Sequence, residues 1–174
     1  MPRAAIETAK GRIVVELFEN EAPNTVANFI SLAEADFWNE TKFHRYEPDF
    51  MIQGGDPLSR EGTESGTPGT GDPGYYIPDE HTAENHRLHF SDSLAMAKRT
   101  APNSGGCQFY LNHRPTPWLN GKHTVFGRIL EGIDVARSLR KDDEIVSVSI
   151  LRKRDHAYEP ETLPKEGTAS GDAS

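Results

Sequence analysis

The sequence predicts a mainly β domain, an antiparallel barrel or sandwich that carries two helices. Short runs rich in β-branched and aromatic residues recur along the chain, and Gly- and Pro-containing turn signals separate them. Only two segments place apolar residues at helical spacing, and strands do not alternate with helices as they do around a parallel sheet. A length of 174 residues fits one domain with a hydrophobic core of its own.

The N-terminal part predicts two strands followed by a helix. Segment Ala4–Phe18 has β-branched and aromatic residues beside Lys10–Gly11, which supplies the turn. A helix is expected to begin near Pro23, because proline suits a first helical position, where its missing N–H would have no partner anyway. Its apolar stripe, at spacings of three and four, consists of Val26, Phe29, Ile30 and Ala33.

The middle of the chain predicts short strands and one long loop. Strands are expected at Lys42–Tyr46 and Phe50–Gln53. Leu58–Gly74 is rich in Gly, Ser, Thr and Pro, which predicts an irregular loop longer than most loops of compact domains. Three further strands are predicted, at Ser93–Lys98, Gln108–Asn112 and Val125–Leu130.

The C-terminal part predicts a short helix, a last strand and a polar tail. Gly132–Arg140 has apolar residues on one side and is predicted to be helical. Ile145–Leu151 alternates as a strand does, and we expect its face with Val146, Val148 and Ile150 to be buried. Residues 154–174 are polar and rich in Pro, Gly and Ser, so we predict a domain over 1–153 and a disordered tail over 154–174.

Composition limits the cellular location and the binding partners that we expect for the protein. The net charge is −8, from 27 acidic and 19 basic residues, which argues against a nucleic-acid partner. The longest apolar runs are about five or six residues, far short of the roughly 20 that cross a bilayer, so no membrane is expected. The N-terminus shows no secretory signal, and the single Cys107 cannot form an internal disulfide. These observations predict a cytoplasmic location.

Two local patterns resemble ligand-binding motifs, but neither is interpreted as a ligand site. Gly69–Gly74 matches G-x-G-x-x-G, but Pro73 and the missing strand–helix context oppose a dinucleotide site. His81, His86 and His89 lie close in sequence without a partner cysteine or an H-E-x-x-H spacing, so they are interpreted as surface histidines and no metal is predicted.

Three stretches carry more specific side chains than a barrel needs. They read FHRYEPDFMIQGGD (residues 43–56), NSGGCQFY (103–110) and WLNGKHTVFG (118–127). In order and spacing they resemble the motifs of the cyclophilin-type peptidyl-prolyl isomerases, and the similarity runs from about Ala4 to Leu151. The resemblance implies a closed eight-stranded antiparallel β-barrel capped by two α-helices. It also implies an enzyme that speeds rotation about X–Pro bonds in flexible polypeptides, assists protein folding and needs no cofactor.

The resemblance assigns roles to individual positions. Arg45 occupies the position whose cation stabilises the twisted amide, and a guanidinium suits this role because it offers several donors in a rigid fork. Gln53 is expected to help place Arg45, and His123 to shape the pocket rather than transfer protons, although both are counted with Arg45 as catalytic. The expected substrate-binding residues are Phe50, Met51, Gly62, Ala97, Lys98, Gln108, Tyr110, Trp118 and Leu119.

Three positions depart from the common family pattern. Tyr110 stands where a second phenylalanine is usual, and its hydroxyl costs about 1–3 kcal/mol if it is buried without a partner. Asn120 and Thr124 differ from the common W-L-D-G-K-H-V-V-F-G. The tryptophan at 118 implies cyclosporin binding, which Tyr110 would weaken. The open alternative is a proline-peptide binding module or chaperone without turnover, and a monomer is expected in either case.

Overall fold

One curled antiparallel sheet forms the body of the protein, and a computed structural model of the chain describes it for residues 1–165. Helix α1 spans Pro23–Glu34 and helix α2 spans Ile133–Ser138, and two short 3₁₀ turns lie at Pro57–Ser59 and Pro117–Leu119. The strands are β1 Arg3–Thr8, β2 Gly11–Leu17, β3 Thr41–Lys42, β4 Arg45–Glu47, β5 Met51–Gly54, β6 Ser93–Met96, β7 Phe109–Asn112, β8 Val125–Glu131 and β9 Glu144–Arg152. No helix within residues 1–165 is long and apolar enough to span a bilayer.

The sheet has nine strands in the order β3-β9-β1-β2-β8-β6-β7-β5-β4, so the predicted closed eight-stranded barrel is wrong in strand number and in closure. The reason lies in the predicted strand Lys42–Tyr46, which is divided between the two edges of the sheet. Its first part pairs with β9 as β3, and its last part pairs with β5 as β4. Phe43 and His44 join the two edges covalently, but no backbone ladder connects them.

The core lies inside the curl of the sheet, under α1. The helix buries its apolar stripe as predicted, and Phe29 contacts the rings of Trp38, Phe109 and Phe126 at centroid distances of 4.7, 6.1 and 5.5 Å. Phe43 is fully buried, and a Cβ at Gly54 would lie 2.8 Å from its ring, so glycine lets β5 pass close to it. The buried side chain of Phe43 therefore lies between the two sheet edges, β3 and β4, where no backbone ladder is formed.

The last strand does not bury the face that simple alternation predicts. Val148 is buried, but Val146 is 48% exposed and Ile145 is fully buried instead. Thr8 on β1 is opposite Ile145, whereas Glu7 is opposite Ser147, so Val146 is the extra residue of a β-bulge. A bulge shifts the alternation by one residue, and the expectation for Val146 was wrong for that reason.

The segment after β9 packs against the domain as far as it is described, in contrast to the predicted disordered tail. The ring of Tyr158 is buried, and its hydroxyl donates to Oε2 of Glu19 at 3.0 Å and accepts from the N–H of Arg154 at 3.0 Å. Leu163 exchanges backbone hydrogen bonds of 2.7 and 2.9 Å with Tyr76. The buried Tyr158 ring and the backbone pairing of Leu163 thus attach this polar segment to the domain. The rest of the predicted tail, 166–174, lies outside the described residues.

Candidate active site

The candidate site begins as a row of residues that face each other across five neighbouring strands. Side chains at directly opposed positions lie on the same face of a sheet, so each strand contributes one side chain to this row. The row consists of Arg45 on β4, Gln53 on β5, Tyr110 on β7, Ala95 on β6 and Val125 on β8. Register alone therefore brings Arg45 beside an apolar patch, although the residues are far apart in sequence.

Above this row lies a cavity of about 240 Å³. Met51, Ala95, Tyr110 and Val125 form a small buried apolar cluster at its base, separate from the main core. The cavity is bordered by nine of the residues predicted for the site, namely Arg45, Phe50, Met51, Gln53, Ala97, Lys98, Tyr110, Leu119 and His123.

Three predicted site residues lie outside this cavity. Gln108 borders a narrower cavity of about 100 Å³ that also touches Gln53 and Lys98. Trp118 stands at the rim, 48% exposed, with its ring 5.7 Å from that of Phe50 in an edge-to-face arrangement. Gly62 lies in an exposed turn with φ +79°, and the space beside it is open, so the structure does not bring it to the cavity.

Arg45 is held from one side and remains open on the other. Its side chain is 51% exposed, and its Nε lies 3.4 Å from Oε1 of Glu47, two residues further along β4. Residues i and i+2 share one face of a strand, which explains this pairing. Glu47 was not predicted for the site, although its position two residues after the arginine was a usable signal. The contact through Nε leaves the terminal nitrogens of the guanidinium available to a bound peptide.

Gln53 is fixed by a chain of amide hydrogen bonds. Its Nε2 donates to Oε1 of Gln108 at 3.1 Å, and Nε2 of Gln108 donates to the carbonyl of Gly71 at 2.9 Å. The remaining oxygen of Gln53 is therefore free to accept from a donor in the cavity. Gln53 and Gln108, which were both predicted for the site, are thus in direct contact.

Asp56 anchors the long loop to the site, a role that was not predicted. It is fully buried, and its carboxylate accepts from the N–H groups of Leu58 at 2.7 Å and Gly71 at 3.0 Å, and from that of Gly69. A Cβ at Gly71 would lie 2.0 Å from Oδ1 of Asp56, so only glycine fits there. The glycine-rich pattern at 69–74 thus wraps a carboxylate of its own chain.

The Tyr110 hydroxyl is buried and has a partner. It lies 2.7 Å from Nε2 of His89, and the two rings stack with centroids 5.9 Å apart. Nδ1 of His89 lies 3.0 Å from Oδ1 of Asn120, which also accepts from the N–H of His89 at 2.8 Å. Since Nδ1 must donate to this oxygen, Nε2 is the acceptor for the tyrosine hydroxyl.

This arrangement corrects the interpretation of His89 as a surface histidine, because only 2% of it is exposed. Burial lowers the pKa of His89 to about 4, against a smaller opposing effect of its hydrogen bond to Asn120. Burial likewise raises the pKa of Tyr110. Both groups are neutral near pH 7, so the cavity base carries a hydroxyl without an unsatisfied polar atom. Two of the departures from the family pattern, Tyr110 and Asn120, are thereby joined through His89.

His123 forms one wall of the cavity in its neutral form. Its Nδ1 lies 3.0 Å from the carbonyl of Met96 and donates to it, and its ring meets that of Tyr110 edge to face at 5.7 Å. Burial lowers the pKa of His123, and the nearby charge of Lys98 adds to this effect. A neutral ring suits a pocket for an apolar proline.

The site therefore combines an apolar cavity, a cation at its edge and fixed amide groups. Cys107 offers no nucleophile, because burial raises the pKa of its thiol. Within residues 1–165 no three His, Cys, Asp or Glu side chains form a cluster that could hold a metal ion. This geometry can bind an extended apolar segment and stabilise charge that develops beside it.

Comparisons with known proteins agree with this geometry. Residues 3–155 match the family model described as cyclophilin type peptidyl-prolyl cis-trans isomerase/CLD. A peptidyl-prolyl cis-trans isomerase of Synechococcus elongatus is 46% identical over 153 residues, which cover 87% of this chain and 97% of the relative. A mouse peptidyl-prolyl cis-trans isomerase-like 1 is 44% identical and covers 87% of this chain and 90% of its own. A Cryptosporidium parvum cyclophilin, solved with the dipeptide Ala-Pro, has a TM-score of 0.71 at 26% identity and covers 87% of this chain and 99% of its own.

The chain belongs to the cyclophilin-type peptidyl-prolyl cis–trans isomerase family. The predicted family and enzyme class are confirmed by these matches, and the mainly β fold with two helices agrees with the solved cyclophilin. The roles of the individual site residues stay predictions, and they are taken up as proposals below.

Proposed function

We propose that this chain speeds rotation about X–Pro bonds in flexible polypeptides, with proline in the 240 Å³ cavity and Arg45 acting on the twisted amide. The observation that carries the proposal is the register that aligns Arg45, Gln53 and Tyr110 across β4, β5 and β7. It sets a cation with open donors beside an apolar cavity. The solved cyclophilin with Ala-Pro is consistent with a proline-containing ligand.

To speed rotation about the X–Pro bond, the protein needs only to bind the twisted amide more tightly than the planar amide. Resonance gives the amide a rotation barrier of about 18–20 kcal/mol, and a 10⁵-fold acceleration requires lowering it by roughly 7 kcal/mol. When the bond twists, the nitrogen becomes pyramidal and its lone pair localises. A donor from Arg45 to that lone pair favours the twisted state over the planar one, and only such a difference increases the rate.

The neighbouring residues keep Arg45 in position. Glu47 holds the guanidinium through Nε, and the free oxygen of Gln53 can accept from a terminal nitrogen or from the peptide. Phe50, Met51 and Leu119 supply apolar surface for the proline ring. His123 and Tyr110 close the cavity as neutral rings, so no competing charge is present at its base.

A protease-coupled assay with a chromogenic Ala-Pro peptide tests this proposal. The wild-type protein is expected to accelerate cis-to-trans conversion and to speed the refolding of a protein limited by prolyl isomerisation. Binding of the peptide by well-folded protein without any acceleration would contradict the proposal and favour a proline-binding module.

We also propose that cyclosporin binds at this site. Trp118 is half exposed at the rim, and its packing on Phe50 fixes the indole beside the cavity. The Tyr110 hydroxyl points away to His89, so it does not present a polar group to an apolar ligand. Calorimetry should show binding, and its absence at about 50 µM cyclosporin would contradict the proposal.

One copy of the chain supplies the whole candidate site, so we propose that it works as a monomer. The residues that border the cavity and those of the cross-strand row all come from this chain. Sedimentation equilibrium should give a mass near the 19.3 kDa of one chain, and a stable dimer would contradict the proposal. The cytoplasmic location stays a prediction.

A further inference from the structure

A second and larger cavity lies directly beside the proposed proline cavity. Its volume is about 410 Å³, and Lys98 and His123 border both cavities. A peptide advances about 3.3–3.6 Å per residue, so a chain that places proline in the first cavity reaches the second within one to three residues. The other residues that border it are Asp79, His81, Arg99, Thr100, Pro102 and Lys122.

Most charges that border this second cavity are positive. Asp79 is its one carboxylate, and it is already engaged by Nζ of Lys98 at 3.8 Å and by Nε2 of His81 at 3.2 Å. Lys98 also donates to the backbone carbonyls of Arg99 and Ala101, at 3.2 and 3.0 Å, and its side chain is only 9% exposed. Lys98 is therefore fixed by its own chain and has little freedom to meet a ligand.

Arg99 and Lys122 differ from Lys98 in this respect. Within residues 1–165, neither side chain lies within ion-pair distance of a carboxylate. Arg99 and Lys122 are both exposed, and the guanidinium of Arg99 lies 5.9 Å from the ring centre of the buried Tyr76. Two cations that have no carboxylate partner among the described residues thus border one cavity of a molecule whose net charge is −8.

We propose that the 410 Å³ cavity binds an acidic side chain of the substrate, within three residues of the proline, with Arg99 and Lys122 as its partners. This inference rests on the proposed function, because it defines the substrates of the same site. A substrate carboxylate placed there is attracted by Arg99 and Lys122, whereas a substrate lysine would place another positive charge beside them. The cluster also attracts acidic segments locally, against the repulsion from the rest of the molecule.

The first experiment compares peptides that differ only in charge near the proline. Glu, Gln or Lys is placed in turn at each of the three positions on either side of Ala-Pro, and kcat/KM and the binding constant by fluorescence anisotropy are measured for each peptide. Exposed ion pairs contribute modestly, so we expect Glu to exceed Gln by about three- to fivefold at one position, with Lys below Gln. The preference should disappear near 0.5 M salt, because screening weakens exposed pairs.

The second experiment changes the protein. Arg99→Gln and Lys122→Gln should each reduce the Glu-to-Gln ratio, and Arg99→Glu should reverse it in favour of the Lys peptide. Lys141→Gln is the matched control, because Lys141 is an exposed lysine outside these cavities and its loss changes the net charge equally. An equal effect of Lys141→Gln would show that only the overall charge matters, and would overturn the proposal.

The outcomes separate this proposal from the proposed function. Equal turnover and equal binding of the Glu, Gln and Lys peptides would overturn the acidic subsite and leave the isomerase intact. A charge preference in binding without any turnover would support the subsite and contradict the isomerase.

Discussion

At the residue scale, the pairing of Tyr110 with His89 decides whether the unusual hydroxyl destabilises the protein. Tyr110→Phe would leave Nε2 of the buried His89 without a donor, so we expect the free energy of unfolding to fall by about 1–3 kcal/mol. The double variant Tyr110→Phe with His89→Leu should lose less than the sum of the single variants. Denaturant unfolding measures these differences.

A matched control is Tyr46→Phe, since the Tyr46 hydroxyl makes no hydrogen bond to another side chain within residues 1–165. Its stability should be close to that of the wild type. Unchanged stability of Tyr110→Phe would show that the His89 hydrogen bond contributes nothing.

The neutral state of His123 predicts the pH dependence of the reaction. Its pKa lies below the ordinary 6.5 because it is buried, so the ring is uncharged above that pH and gains a proton only below it. We therefore expect kcat/KM to be constant from about pH 7 to 8 and to fall at acidic pH, as a charge enters the apolar cavity. A decline with a midpoint at or above pH 7 would contradict this assignment.

The protonation of His89 should appear in stability rather than in activity. Its folded pKa of about 4 lies below the ordinary 6.5, so the unfolded chain binds more protons between these values. The free energy of unfolding should therefore fall as the pH decreases from about 6.5 to about 4, more steeply in the wild type than in His89→Leu. Parallel curves from denaturant titrations would contradict the buried neutral state.

Residue identities near the cavity were predictable because they lie in local motifs, whereas partnerships across the sheet were not. Arg45, Phe50 and Met51 are spaced in the sequence as the resemblance requires. The contact of His89 with Tyr110 depends on the fold of the chain over 21 residues, and sequence proximity led to the wrong grouping of His89 with His81 and His86.

At the element scale, the strands were predictable in type but not in pairing. Periodicity and turn residues indicate where β1, β2 and α1 lie, since these features are local. Two features depend on neighbours that a single segment does not reveal: the division of the 42–46 segment between two sheet edges, and the bulge at Val146. The closed barrel and the buried face with Val146 were wrong for this reason.

The segment after β9 yields a prediction at the same scale. Tyr158→Ala should lower the free energy of unfolding by about 2–4 kcal/mol, because a buried ring is lost and Glu19, itself 6% exposed, loses a hydrogen bond. Glu159→Ala, an exposed neighbour, is the control and should be close to neutral. A Tyr158→Ala variant as stable as the wild type would show that this segment is not anchored in solution.

At the scale of the whole molecule, the fold serves to align distant residues. The four strands that carry Gln53, Ala95, Tyr110 and Val125 are separated along the chain by residues 55–92, 97–108 and 113–124. The buried Asp56 ties the long loop to Gln108, and through it to Gln53. The site is thus supported by backbone ladders on one side and by a buried carboxylate on the other.

The most direct test of the central claim is the protease-coupled isomerisation of an Ala-Pro peptide by wild type, Arg45→Ala and Arg128→Ala. Arg128 is the matched control, since it is an exposed arginine paired with Glu16 away from the cavity. We predict that Arg45→Ala lowers kcat/KM by about a hundredfold, or about 2.7 kcal/mol of transition-state stabilisation, while Arg128→Ala stays within about twofold of wild type. A well-folded Arg45→Ala variant that retains wild-type kcat/KM would contradict the account.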